Sequence, residues 1–189
     1  MDTNAYSSPP CYAHEFAPDH DRKPPMAVEE LVNLLNMLLE AERAGARVLA
    51  AFLNDYERDT RAWRQLAAVQ RDEARNCAIL IGLIRRLSGT PSAETGNFVV
   101  KALAVTGRIG RLRFLNRGQK WVARQISEAL PRVDQDFVHS ALFAMQESHL
   151  LNIELCDGLV EALEAQPGLE MDSRLKKAAQ SAFHLMGED

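Results

Sequence analysis

The chain has 189 residues, 47% of them hydrophobic and 25% charged, with a formal net charge of −4; this suits one main domain with a sizeable core. Such a balance gives no general attraction to nucleic acid or to an anionic membrane. No window approaches the ~18 uninterrupted apolar residues of a membrane span, and residues 1–25 lack the apolar run of a signal peptide, so the expectation is a cytoplasmic protein with no nucleic-acid or membrane partner.

Residues 1–25 hold Pro9, Pro10, Pro18, Pro24 and Pro25 among Ser, Asp and His. That composition neither buries apolar surface nor sustains a helix, and it reads as a disordered tail. A first helix is predicted from about Ala27 to Tyr56. Its inward stripe, Leu31, Leu35, Leu38, Glu42, Gly45, Leu49 and Phe52, contains one carboxylate. Ala41, Ala44, Gly45 and Ala46 surround Glu42 and would let a neighbouring helix come close, whereas Glu40 points about 200° away and reads as a solvated charge.

The run NDYERDT breaks the pattern, and Thr60 suits the cap of a second helix. Its stripe is Trp63, Leu66, Gln70, Glu73, Cys77, Leu80, Ile84 and Leu87, again with one carboxylate, while Arg61, Arg64, Arg71, Asp72, Arg75, Arg85 and Arg86 mark the outward face. LSGTPS should end this helix, with Gly89 as a left-handed cap and Pro91 preventing continuation. A shorter helix is predicted over about Ala93 to Thr106. Gly107 and Gly110 should interrupt it before a third long helix from about Arg111 to Leu130, whose stripe Leu112, Leu115, Gln119, Val122, Ile126, Leu130 has Gln119 as its polar member.

Pro131 ends that helix, and a fourth takes over near Asp136 with the stripe Val138, Leu142, Met145, His149, Ile153, Cys156, Val160, Leu163. After Pro167 and Gly168, a last amphipathic helix over about Asp172 to Met186 is predicted to pack on the other helices or on a partner. The domain plan is therefore a tail over 1–25, a helical domain over 26–166 and a C-terminal helix within 167–189. Cys11, Cys77 and Cys156 are odd in number and lack CxxC spacing, which argues against disulfides or a zinc site.

Each long stripe is interrupted once near its middle, by Glu42, Glu73, Gln119 and His149. Helical bundles place metal and cofactor sites in this way, with side chains from facing helices converging on the core. Asn76 and Gln146 lie one turn from Glu73 and His149 and could join them. A buried carboxylate must be paired, protonated or metal-bound. Two answers stand open: one metal held by Glu42, Glu73 and His149, or a metal-free network in which the carboxyls share a proton or pair with an arginine such as Arg47 or Arg117.

With Glu42 inside Leu35 to Leu49, and with the spacing from Glu73 through the GTP turn to Pro91, residues 31–163 resemble the ferritin-like superfamily, particularly bacterioferritin and rubrerythrin relatives; the segments LLEAERAGAR, RDEAR and LNRGQ look like a bacterial branch within it that has an altered site. The resemblance implies an all-α, ferritin-like four-helix bundle with a long crossover containing a short helix, plus the C-terminal helix. It places Glu42 and Glu73 in ligand positions and His149 as the histidine of the fourth helix. Asn76 then stands where that family has His, Gln146 where it has Glu, and Gln119 near the place of the third helix's Glu. A di-iron site uses about four carboxylates and about two histidines, so a di-iron centre is disfavoured. The expected cofactor is none or one divalent metal (iron, manganese or zinc), and the expected assembly is a homodimer. Two functions follow: a bundle with a degenerate metal site, or a mononuclear metal-dependent oxidoreductase acting on oxygen or peroxide. A hydrolase or nucleotide-binding reading finds no glycine-flanked serine and no P-loop.

Overall fold

The computed structural model describes residues 24–165 and is all-helical, with no strand among the described residues. Its helices are α1 Val28–Phe52, α2 Arg61–Arg86, α3 Phe98–Ala104, α4 Arg108–Ala129 and α5 Asp136–Ala165, with short 3-10 turns at Leu53–Asp55 and Leu130–Arg132. The expectations for the tail up to Lys23 and for the C-terminal helix lie outside the described residues.

Amphipathic stripes decide the packing. The most extensive contacts pair α1 with α2 and α4 with α5, and the two pairs meet where α1 faces α4 and α2 faces α5. Side chains at the ends set the directions. Arg132 at the end of α4 forms a two-pronged bond to Glu30 at the start of α1, and Arg111 near the start of α4 bonds Asp55 beyond the end of α1, so these helices run antiparallel. Arg86 at the end of α2 lies 3.8 Å from the ring centroid of Phe137 at the start of α5, which makes that pair antiparallel too. The connection between α2 and α4 consequently travels from one end of the molecule to the other.

That connection departs from expectation, since helix forms only over Phe98–Ala104. The reason lies on α1. Asn36 donates to the Thr90 carbonyl at 3.1 Å and accepts from the Ser92 amide at 2.7 Å, while Arg43 donates to the carbonyls of Ser92 and Glu94 at 2.9 and 2.7 Å. Backbone groups that a helix would use internally are bonded sideways to α1, and the segment stays extended. Glu40, expected in solvent, accepts from the Ser92 hydroxyl at 2.5 Å.

Helix ends follow local chemistry. Thr60 caps α2 by accepting from the Trp63 amide, as its sequence predicts. At the other end the left-handed residue is Ser88, with φ 61°, and not Gly89. The amides of Ser88 and Gly89 reach back to the carbonyls of Arg85 and Ile84, the bonding of a Schellman cap. Gly89 is required for space instead, because a Cβ there would meet Val32 Cγ1 at 2.7 Å. Gly107, with φ 76°, stands at the N-cap of α4, and Gly110 lies inside that helix without breaking it.

Two apolar clusters fill the interior. One gathers Leu35, Leu39, Leu80, Ile84, Val122, Ile126 and Leu142; the other gathers Leu49, Phe52, Leu66, Val69, Leu115 and Cys156. Each long helix contributes to both, and on each the changeover falls at its polar residue: Glu42 between Leu39 and Val48, Glu73 between Val69 and Leu80, Gln119 between Leu115 and Val122, His149 between Met145 and Cys156. A polar layer thus divides the core. Each fully buried leucine on either side contributes roughly 1.5–3 kcal/mol, which sustains the layer between them.

Candidate functional site

Glu42, Glu73, Asn76, Gln119 and His149 are all buried, with Glu42 at 0% and His149 at 1% exposure. Their side chains bond to one another in sequence. Asn76 Nδ2 donates to Glu42 Oε2 at 2.9 Å, and His149 Nε2 lies 2.7 Å from Glu42 Oε1. His149 Nδ1 bonds Gln119 Oε1, and Gln119 Nε2 donates to Glu73 Oε1. The carboxyl of Glu73 comes back beside that of Glu42, near enough for the two to share a proton, so the bonded side chains trace a ring.

The roles of the protons follow from donors and acceptors. An amide whose nitrogen faces Glu73 must present its oxygen to His149, so Nδ1 of the imidazole carries a proton. Burial, the neighbouring Glu42 charge and the hydrogen bond to Glu42 hold the Glu73 carboxyl well above the usual carboxylate range, against the opposing pull of Gln119. A Glu73 carboxyl that keeps its proton can donate it to Glu42, whose oxygens also face the Asn76 amide nitrogen and His149 Nε2. Fully buried polar atoms without a partner include Asn116 Oδ1 and Gln135 Oε1, but no atom of these five side chains.

Gly45 makes the ring possible. A Cβ at that position would sit 2.5 Å from Glu73 Oε2 and 2.8 Å from its carboxyl carbon, so α1 must expose bare backbone where the α2 carboxyl arrives. The small residues around Glu42 signalled a close approach; which group approaches is decided by the register of α2. Beside the ring a cavity of about 20 Å³ is lined by Gly45, Glu73, Phe98, Gly118, Gln119 and His149, about the space one water needs.

Gln146 is not joined to the ring, since its side-chain nitrogen donates to the Ala123 carbonyl at 3.3 Å. Neither proposed arginine reaches the carboxyls. Arg47 and Arg117 are exposed, because each sits a step off the inward stripe of its helix, and the charge is answered by His149, Asn76 and Gln119 instead. Sequence reasoning passed over Asn116 and Asn152, both buried. Asn116, one turn from Gln119, ties α4 to α5 through the Ile153 carbonyl at 3.1 Å and Asp157 at 2.6 Å; its position beside the stripe residue Leu115 was the available signal. Burial disfavours the thiolate at both described cysteines, pushing Cys77 up to about 11 and Cys156 up to about 12, with nearby carboxylates adding to it.

For a metal, the candidate donors are Glu42, Glu73 and His149. Both imidazole nitrogens are already bonded to Gln119 and Glu42, so a metal would have to displace one of these partners. Among the described residues no group of three or more His, Cys, Asp or Glu side chains is disposed to hold a metal ion. No helix among the described residues is long and apolar enough to cross a membrane.

No curated protein and no solved structure gives a significant match to the chain. The model of one domain family of unknown function, DUF6306, matches residues 29–158, a span from the first turn of α1 into the last turns of α5 that includes all five residues of the ring. The chain belongs to the DUF6306 family.

Proposed function

We propose that the four long helices form a ferritin-like four-helix bundle, with residues 87–107 as its long crossover, and that the core layer serves as a metal-free hydrogen-bonded register instead of a redox centre. The observation that carries this reading is the closed ring: each side chain that would ligate a metal already has a partner within the layer. Such a ring rewards one axial alignment of all four helices, because sliding any helix by a turn leaves buried polar groups unpaired at roughly 1–3 kcal/mol each. On this reading the protein is a non-catalytic helical module. Exposed Phe143, Leu150 and Leu151 on α5 support a homodimer formed through that helix, which light scattering of the purified chain tests.

Elemental analysis decides the metal question. Protein purified without a chelating tag from cells supplied with iron, manganese and zinc should carry none of them in stoichiometric amount. One metal per chain, lost in Glu73→Gln, would replace the register by the mononuclear oxidoreductase with Glu42, Glu73 and His149 as ligands; two per chain would reject both.

A further inference from the structure

A larger cavity opens beside the polar layer. It is open to solvent on one side and offers about 360 Å³ between α1, the start of α3 with the residues before it, and α4, with Met37 and Ala41 on one side and Phe98, Phe114 and Trp121 on the other. Small-molecule sites have volumes of roughly 300–1,000 Å³ and mostly apolar walls with a few placed polar groups. The rings of Phe98 and Phe114 lie 5.0 Å apart at an interplanar angle of 38°, forming an aromatic floor. Phe98 can sink to that depth because Gly118 has no side chain, since a Cβ there would lie 2.8 Å from Phe98 Cζ. Phe98 and Gly118 also line the small cavity that holds Glu73 and His149, so they wall the larger cavity off from the ring.

Two charged residues border the space, and they differ in what occupies them. Glu40 accepts from the Ser92 hydroxyl. Arg117 has its guanidinium carbon 4.9 Å from the Phe114 ring centroid and forms no ion pair among the described residues. A guanidinium stacked over an aromatic wall keeps its in-plane N–H donors free for an oxyanion, and a carboxylate takes two of them at once. Glu40 on the facing wall repels an anion and favours its seating at the Arg117 end.

We propose that this cavity binds a small aromatic carboxylate, with its ring among Met37, Phe98, Phe114 and Trp121 and its carboxylate on Arg117. The polar ring takes no part in the binding, so this assignment stands apart from the metal question. Trp121 reports occupancy directly. In the full chain carrying Trp63→Phe, Trp121 is the remaining tryptophan of two, and Trp63 lies at the start of α2 beneath Arg58, not among the residues lining this cavity.

The test is titration of that chain with 2-naphthoate, 2-naphthamide and 2-naphthylmethylamine, followed by tryptophan fluorescence and by calorimetry. The acid should give a saturable change and bind about tenfold more tightly than the amide, the order expected for one charge-assisted pair at a partly exposed site. Arg117→Gln should remove most of that advantage and leave the amide unchanged. No saturable response to any probe, equal binding of acid and amide, tightest binding of the amine, or full retention of 2-naphthoate affinity in Arg117→Gln would each overturn the proposal.

Discussion

Glu73→Gln is the perturbation that separates a proton-holding ring from a charged one. The amide is nearly isosteric, its oxygen can accept from Gln119, and its nitrogen can donate to Glu42, so the bonds of the ring survive. Folding raises the Glu73 carboxyl above its ordinary value of 4.5, chiefly through burial and the Glu42 charge. Below the ordinary value both the folded and unfolded chains hold the proton, and the contribution to stability is fully present. Above it the unfolded chain releases a proton that the folded chain keeps, and stability falls as pH rises until folded Glu73 itself ionises. One proton corresponds to a slope of about 1.4 kcal/mol per pH unit, or roughly 3–6 °C in melting temperature for a chain of this size. Urea unfolding of both proteins between pH 5 and pH 8 measures the difference. The stability of Glu73→Gln relative to the parent should climb with pH at up to that slope and then level off. Parallel pH profiles of the two proteins, or a difference that falls with pH, would refute the reasoning.

Gly45→Ala should reverse the usual sign of a helix-interior Gly→Ala change, destabilising by about 1–3 kcal/mol because the new methyl meets the Glu73 carboxyl; in a Glu73→Ala background calorimetry should show most of that cost gone. Ser88→Gly should raise stability by roughly 0.5–1 kcal/mol, since the left-handed position at the end of α2 then has no Cβ, and an unchanged denaturation midpoint would contradict the cap. Asn36→Ala should speed hydrogen exchange at the Ser92 amide, whose acceptor it removes, with little change at the α5 amides.

The long helices and their inward faces were legible because period alone shows them: Leu31 to Phe52 and Val138 to Leu163 each keep one stripe from end to end. The polar layer was legible for the same reason, as four interruptions at matching depth. What period cannot carry is which atoms meet. Gln119 was visible as a polar member of its stripe, yet its role as a bridge from His149 to Glu73 depends on the register of three helices at once. Arg47 and Arg117 looked like counter-ions only while their helix faces were unassigned. The short α3 misled because Ala93 to Thr106 has helical composition, and the residues that hold its first part extended, Asn36 and Arg43, sit about fifty positions upstream on another element. Ser88 misled through a residue preference: glycine favours the left-handed position, but here a close approach to Val32 already claims Gly89.

Infrared spectroscopy tests the central claim most directly, because a protonated carboxyl has a carbonyl stretch that a carboxylate lacks. At neutral pH the parent protein should show that band, arising from a buried carboxyl that holds its proton, and Glu73→Gln should abolish it while the rest of the spectrum stays helical. A parent protein with no protonated-carboxyl band, or a band that persists in Glu73→Gln, would contradict a ring in which neutral Glu73 donates to Glu42.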